Sequence, residues 1–124
     1  MADTQQSVTS QLSVEYFDWV QSTLNISTAE MQSFYRLFFV PGMYHCYGGP
    51  GAWYFAQPLL SAVPDSPQLN SSDYNILLVL VEWTENGNAP EYIIGTKYQG
   101  DAVGADILSQ RSTFSFAALV VNDR

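Results

Sequence analysis

Residues 34–53 read FYRLFFVPGMYHCYGGPGAW, and this stretch decides the fold class that we expect. Its first seven residues are almost all apolar or aromatic, with Arg36 as the one charged side chain, and they end at Pro41-Gly42. Such a run predicts a strand over residues 34–40 that is buried on both faces, as in a parallel sheet covered by helices. The sequence therefore predicts an α/β fold.

A glycine-rich loop follows this predicted strand directly. Residues 42–51 include four glycines and a proline, so the backbone is expected to adopt unusual dihedral angles or to approach another segment closely. His45 lies in this loop, and open α/β sheets form their sites at the carboxyl ends of strands. His45 is therefore a candidate general base. Alternatively, its ring only hydrogen-bonds to carbonyl groups of the loop.

Two helices are predicted before residue 34. Apolar residues at helical spacing predict a helix over 12–24 with one buried face, ended by Asn25. Ser27 and Glu30 then have the S-x-x-E spacing of a capping box, in which each side chain accepts a hydrogen bond from a backbone amide of the first turn. A short second helix is therefore predicted at about 28–33.

The second half of the chain contains two further predicted elements. Asn86-Gly87 predicts the end of a helix over 74–86 with Asp73 as its N-cap, although LLVLV inside it could equally form a strand. Residues 92–98 have a strand-like composition, and residues 58–72 are rich enough in proline to predict a loop. Three aromatic residues after the glycine-rich loop are interpreted mainly as core: Trp53, Tyr54 and Phe55.

The composition excludes several classes of function. The 124 residues carry a net charge of −8, and the cations are only four: Arg36, Lys97, Arg111 and Arg124. No basic surface is available for nucleic acid or an anionic membrane, and the longest apolar run, 76–81, is far shorter than the roughly 18 residues of a membrane span. We predict neither nucleic acid nor membrane as a partner.

Residues 1–20 have no secretory pattern, so any export signal is expected outside this chain.

A general base needs a nucleophile, and none is recognisable here. A G-x-S-x-G elbow is absent. The carboxylates that precede His45 fall on the predicted arm or helices rather than on loops at strand ends: Asp3, Glu15, Asp18 and Glu30. We therefore expect that the chain cannot assemble a complete Ser-His-Asp triad by itself. Cys46 is the single cysteine, so it stays free or pairs with another chain.

The stretch 34–53 closely resembles the C-terminal histidine block of the tannase and feruloyl esterase family. Its Met-x-His-Cys-x-Gly-Gly-Pro-Gly core, residues 43–51, is specific. The similarity continues through 80–91 and Gly95-Thr96-Lys97-Tyr98, so the resemblance covers about residues 12–98.

This resemblance implies the C-terminal portion of an α/β-hydrolase fold with few strands, flanking helices and an incomplete sheet. It also implies a secreted serine esterase that hydrolyses phenolic acid esters, with calcium in the lid of related full-length enzymes and no cofactor in this chain. His45 would be the catalytic base, and Cys46 would bond to a cysteine beside the nucleophile. The expected partner is the N-terminal portion that supplies nucleophile and aspartate, and without it the chain is predicted to be inactive.

The resemblance also suggests a division of the chain. We expect a flexible arm over 1–10, the hydrolase portion over 11–98, and a divergent tail over 99–124 that lacks the Cys-Pro ending of the family. Tyr44 and Tyr47 stand where the family has small residues, which predicts reduced activity. The alternative is a non-catalytic, acidic, aromatic-rich interaction module, or one subunit of a split protein.

Overall fold

The computed structural model of the chain describes residues 10–57 and 67–116. Within these ranges it is a small α/β piece, which confirms the predicted class. Its elements are α1 Ser10–Leu24, α2 Thr28–Gln32, α3 Ile76–Asn86, β1 Tyr92–Tyr98 and β2 Ile107–Phe114, with short 3₁₀ helices at Pro67–Asn70 and Gln99–Asp101. The described residues divide into two compact units, one of residues 10–39 with 115–116 and the other of residues 40–57 with 67–114.

Helix α1 of the first unit confirms the helix predicted over 12–24. It ends where Asn25 takes a left-handed conformation with φ 51°. Of the predicted buried face only Phe17 is fully buried, at 3% exposed, and its ring packs against Tyr35 and Phe116, while Val20 is half-buried. Other apolar residues of that stripe are about half exposed: Leu12, Tyr16 and Leu24. Periodicity defines a face, but burial also needs an opposing surface.

Helix α2 confirms the predicted capping box. The Ser27 hydroxyl accepts from the Glu30 amide at 3.2 Å, and the Glu30 carboxylate accepts from the Ser27 amide at 2.8 Å. Two backbone donors at the start of the helix are thereby satisfied. Met31 of this helix is fully buried.

The strand predicted over 34–40 is wrong. Phe34 and Tyr35 donate their amides to Met31 and so continue the last turn of α2. Beyond them, Phe38 forms one isolated antiparallel bridge with Ser115, and no residue of 34–40 is buried. A strand buried on both faces needs continuous pairing and two covering layers, and in the described part of the chain residues 34–40 have only this single bridge.

The sheet of the second unit is a single antiparallel pair. Strand β1 confirms the strand predicted over 92–98, and it pairs with β2 from Tyr92 opposite Phe114 to Lys97 opposite Ser109. The register shifts between Lys97 and Tyr98. Strand β2 lies within residues 99–124 of the predicted tail and pairs with β1, which lies within 11–98. Whether the tail differs in origin stays a prediction.

The core of the second unit is aromatic. Trp53, Tyr54 and Phe55 are each at most 4% exposed, so their interpretation as core residues is confirmed. Tyr54 exchanges backbone hydrogen bonds with Thr96 of β1, at 3.0 and 2.9 Å, and its ring lies edge-on to Trp53 and Tyr98. This packing fixes the segment after the glycine-rich loop against β1.

Helix α3 confirms the helix predicted over 74–86, but its N-cap is not Asp73. Asn75 is the extended residue directly before the first turn, and its side chain accepts from the Leu77 amide at 3.0 Å. Gly87 ends the helix with φ 74°, as predicted. None of the α3 residues is buried, and four apolar ones are 38–51% exposed: Ile76, Leu77, Leu80 and Val81.

None of the described helices is long and apolar enough to cross a membrane. The predicted loop over 58–72 lies partly outside the described residues.

Candidate functional site

The glycine-rich loop is closed at its base by backbone contacts. Gly51 donates its amide to the Gly42 carbonyl at 2.9 Å, and both Gly42 and Gly49 have positive φ angles, of 73° and 108°. A Cβ atom at Gly49 would lie 2.2 Å from the Gly42 oxygen, far inside van der Waals contact. Only glycine allows the two sides of the loop to approach so closely. The expectation of unusual dihedrals and close approach is confirmed.

The tip of this loop presents the candidate residues to solvent. Tyr44 donates its amide to the Gly48 carbonyl at 3.1 Å, which leaves a three-residue tip of His45, Cys46 and Tyr47. All three are exposed. The Tyr47 ring also makes an edge contact with Trp53, with 6.3 Å between centroids. The loop therefore has a fixed base and an accessible tip.

His45 and Cys46 contact each other at this tip. Nδ1 of His45 lies 2.8 Å from Sγ of Cys46, and the tautomer of the ring decides which of the two donates. Cys46 is an exposed free thiol. Within the described ranges, His45 hydrogen-bonds to no carboxylate or hydroxyl, and no group of three or more His, Cys, Asp or Glu residues could hold a metal ion. The structure thus brings the two predicted site residues, His45 and Cys46, into contact at the exposed tip of the loop.

A polar cluster lies at the base of the loop, next to Gly49. The Lys97 ammonium donates to the Gly49 carbonyl and pairs with the Asp101 carboxylate. Asp101 Oδ1 also accepts the indole N–H of Trp53 at 2.5 Å. Lys97 is 15% exposed at its side chain and Asp101 39%, so the pair is shielded on the lysine side.

The charge state of Asp101 is set by these neighbours. The hydrogen bond from Lys97 is the main cause that lowers the pKa of the Asp101 carboxyl, followed by that from Trp53. Partial desolvation acts in the opposite direction, whereas the Lys97 charge and the Gly49 backbone lower the pKa further. Asp101 is therefore anionic throughout the neutral range.

Sequence reasoning missed the role of this cluster. In the sequence, Lys97 stands out as one of four cations and as part of the Gly-Thr-Lys-Tyr stretch, Trp53 as a core residue, and Asp101 as a residue of the predicted tail. Both contacts that define the cluster, Trp53 with Asp101 and Lys97 with Gly49, join residues 48 positions apart. The one local signal is Gly100 before Asp101, since both residues have positive φ angles, of 64° and 58°.

Comparison with known proteins identifies relatives of this chain. It matches the model of the tannase and feruloyl esterase family over residues 1–116. It is 39% identical over 109 residues to a probable feruloyl esterase B-2 of Aspergillus flavus. The matched region covers 88% of this chain and 20% of that relative. It is 40% identical over 82 residues to feruloyl esterase B of Aspergillus niger, covering 66% of this chain and 15% of the relative.

Solved structures give the same relationship. An esterase from Aspergillus oryzae matches with a TM-score of 0.74 and 33% identity, over 88% of this chain and 20% of that one. Feruloyl esterase B from Aspergillus oryzae matches over the same shares with a TM-score of 0.70 and 28% identity. The chain therefore spans about a fifth of the length of these relatives. The similarity expected over residues 12–98 extends over residues 1–116.

Proposed function

This chain belongs to the tannase and feruloyl esterase family, and we propose that it supplies the general-base histidine of a carboxylic ester hydrolase. The observation that carries the proposal is the placement of His45 at the exposed tip of a loop whose base is closed by backbone contacts. A rigid base with an accessible imidazole is what proton transfer to a bound substrate requires.

The proposed chemistry is serine-type acyl transfer with the nucleophile contributed by the rest of the hydrolase. A serine oxygen bonds to the ester carbonyl carbon while its proton moves to Nε2 of His45, and the leaving alcohol then takes that proton. Water hydrolyses the acyl-enzyme with His45 again as base. Nδ1 contacts Cys46 here, and in a complete triad an aspartate would occupy that position to orient the ring.

The proposed substrates are esters of phenolic acids. Support comes from the relatives, among them feruloyl esterase B of Aspergillus niger. Calcium, which the family resemblance assigns to a lid elsewhere in the enzyme, has no candidate site among the described residues. No step of the proposed reaction is routed through it.

Cys46 is proposed to link this chain to the N-terminal portion of the hydrolase. The thiol is exposed directly beside His45, so a disulfide there would tie the histidine loop to the loop that carries the nucleophile. Such a bond requires an oxidising compartment, which agrees with the proposal that the complete enzyme is secreted.

A first assay uses the chain alone with methyl ferulate and methyl gallate. We expect no turnover, because the proposed nucleophile and aspartate are contributed by another part of the enzyme. Turnover that His45→Ala abolishes would show that the chain holds a complete active site, and this would overturn the proposed division of the triad.

A second assay replaces the matching segment of the Aspergillus oryzae esterase by this chain. The chimera is expected to hydrolyse methyl ferulate, and His45→Gln should remove nearly all turnover, on the order of 10³-fold or more. Glu85→Gln, on the exposed side of α3, is the matched control and should leave turnover unchanged. A folded chimera in which His45→Gln keeps full activity would contradict the proposed role of the histidine.

The exposed apolar face of α3 favours a second candidate, a non-catalytic interaction module or a subunit of a split protein. Ile76, Leu77, Leu80 and Val81 together present a surface that a partner could cover. This candidate predicts stable association with a partner chain and no dependence of any activity on His45. A Cys46 disulfide to the N-terminal portion of a hydrolase would favour the split enzyme over the free module.

A further inference from the structure

Among the described residues, the side chain of His45 has no hydrogen bond to a helix or strand. His45 is exposed, and within the described residues its side chain contacts that of the neighbouring Cys46. Apart from the ring contact of Tyr47 with Trp53, the direction of the imidazole therefore depends on the base of the loop. Gly49 lies at this base and connects it to the tip. It packs against Gly42 on the other side of the loop, and it directly follows Gly48, whose carbonyl accepts the hydrogen bond that closes the tip.

The carbonyl of Gly49 is bound by the ion pair of Lys97 and Asp101. The Lys97 ammonium donates to this carbonyl and also to the Asp101 carboxylate. A hydrogen bond from an ammonium is charge-assisted and roughly twice as strong as a neutral one. Because Asp101 holds the ammonium from the other side, the contact fixes the position of the Gly49 carbonyl.

The ion pair is itself anchored to rigid elements. Lys97 lies on β1, immediately before the register shift at Tyr98, and such irregularities redirect side chains. Asp101 is held by the indole of Trp53, which is 1% exposed. The left-handed backbone at Asp101, φ 58°, is an uncommon conformation that turns this residue toward the cluster.

We propose that Lys97 and Asp101 are positioning residues for His45: Lys97 holds the carbonyl of Gly49, Asp101 holds Lys97, and together they fix the loop that presents the imidazole. The inference rests on the proposed role of His45 as general base. Neither side chain touches the reacting atoms. Their effect is transmitted through Gly49 to the three-residue tip.

The test uses the full 124-residue chain and two readouts at the tip. The chain has one histidine and one cysteine, so the His45 ring signal in NMR spectra and the alkylation rate of Cys46 by iodoacetamide are each unambiguous. Lys97→Met keeps the aliphatic stem and removes the charge. Its His45 signal should broaden and move toward that of a free histidine, and the alkylation rate should change by roughly threefold or more.

Three variants complete the design. Lys97→Arg should restore both readouts, since a guanidinium can donate to Gly49 and Asp101 together. Asp101→Asn should reproduce the effect of Lys97→Met, and it decides the question if Lys97→Met fails to fold. Arg111→Met removes an exposed cation from the facing strand, opposite Gly95, and should leave both readouts as in the wild type.

Unchanged His45 and Cys46 readouts in folded Lys97→Met and Asp101→Asn would overturn the proposal. A purely structural role would lower the unfolding transition of these variants without moving the two tip signals at a temperature where they are folded. Neither readout depends on turnover. An inactive chimera with a well-ordered His45 signal would therefore contradict the proposed function alone, not the positioning role.

Discussion

Nδ1 of His45 lies 2.8 Å from Sγ of Cys46, its neighbour in the chain. Adjacent side chains rarely converge unless the backbone turns sharply between them, and here the bond from Tyr44 to Gly48 closes that turn. The proposed base and the proposed disulfide residue therefore share one exposed tip, and a change at either one is expected to alter the other.

The contact itself can be tested by removing the sulfur. In Cys46→Ala, the Nδ1 resonance of His45 should shift, because the atom exchanges the sulfur for solvent. In the wild type, one thiol per chain should react with a thiol reagent without denaturant, since Cys46 is exposed. A buried, unreactive thiol, or an Nδ1 resonance identical in both proteins, would contradict the geometry of the tip.

The close approach at Gly49 predicts a large effect of one added methyl group. Gly49→Ala places a Cβ against the Gly42 oxygen at φ 108°, so we expect a loss of about 3 kcal/mol or more in the free energy of unfolding. Gly87→Ala is the matched control, because its φ of 74° is also positive but nothing lies within 4 Å of the added carbon. That variant should lose only about 1 kcal/mol.

Urea unfolding of the two alanine variants and the wild type gives both values. Equal losses would mean that the positive φ angle, and not the contact with Gly42, sets the cost at Gly49. The His45 signal should also change in Gly49→Ala and remain unchanged in Gly87→Ala.

The lowered pKa of Asp101 predicts acid sensitivity of the loop. A carboxyl whose pKa is lower in the folded than in the unfolded chain stabilises the fold at pH values above its unfolded pKa, and this contribution is lost as the pH falls through the folded pKa. Wild type should therefore be more stable than Asp101→Asn at pH 7, and the difference should shrink toward pH 3. Asp106→Asn is the control, and a pH-independent difference would contradict the role of the charge.

The capping box of α2 makes an independent prediction in the other unit. Ser27→Ala removes the acceptor for the Glu30 amide, and we expect a loss of about 1 kcal/mol in unfolding free energy. The Ser27 hydroxyl and backbone lower the pKa of Glu30, so the effect of Ser27→Ala at neutral pH should diminish once Glu30 is protonated in acid. Ser22→Ala serves as the control on α1, and an equal loss there would argue against a specific cap.

The local elements were predictable from the sequence because their signals lie within one or two turns. The capping box of Ser27 and Glu30, the left-handed end of α3 at Gly87 and the extent of β1 all depend on residues close in the chain. The glycine pattern of residues 42–51 likewise predicted the unusual dihedral angles and the close backbone approach of the loop. Family resemblance added the chemical interpretation of His45 and Cys46.

Only the tertiary structure decided which segments pair and which side chains are buried. The apolar run 34–40 has the composition of a core strand, yet it makes a single bridge, whereas the more polar β2 pairs with all seven residues of β1 across one register shift. The contacts of Lys97 with Gly49 and of Trp53 with Asp101 each span 48 positions. Pairing and charge-assisted contacts depend on groups distant in sequence, so hydrophobicity and spacing along the chain could not specify them.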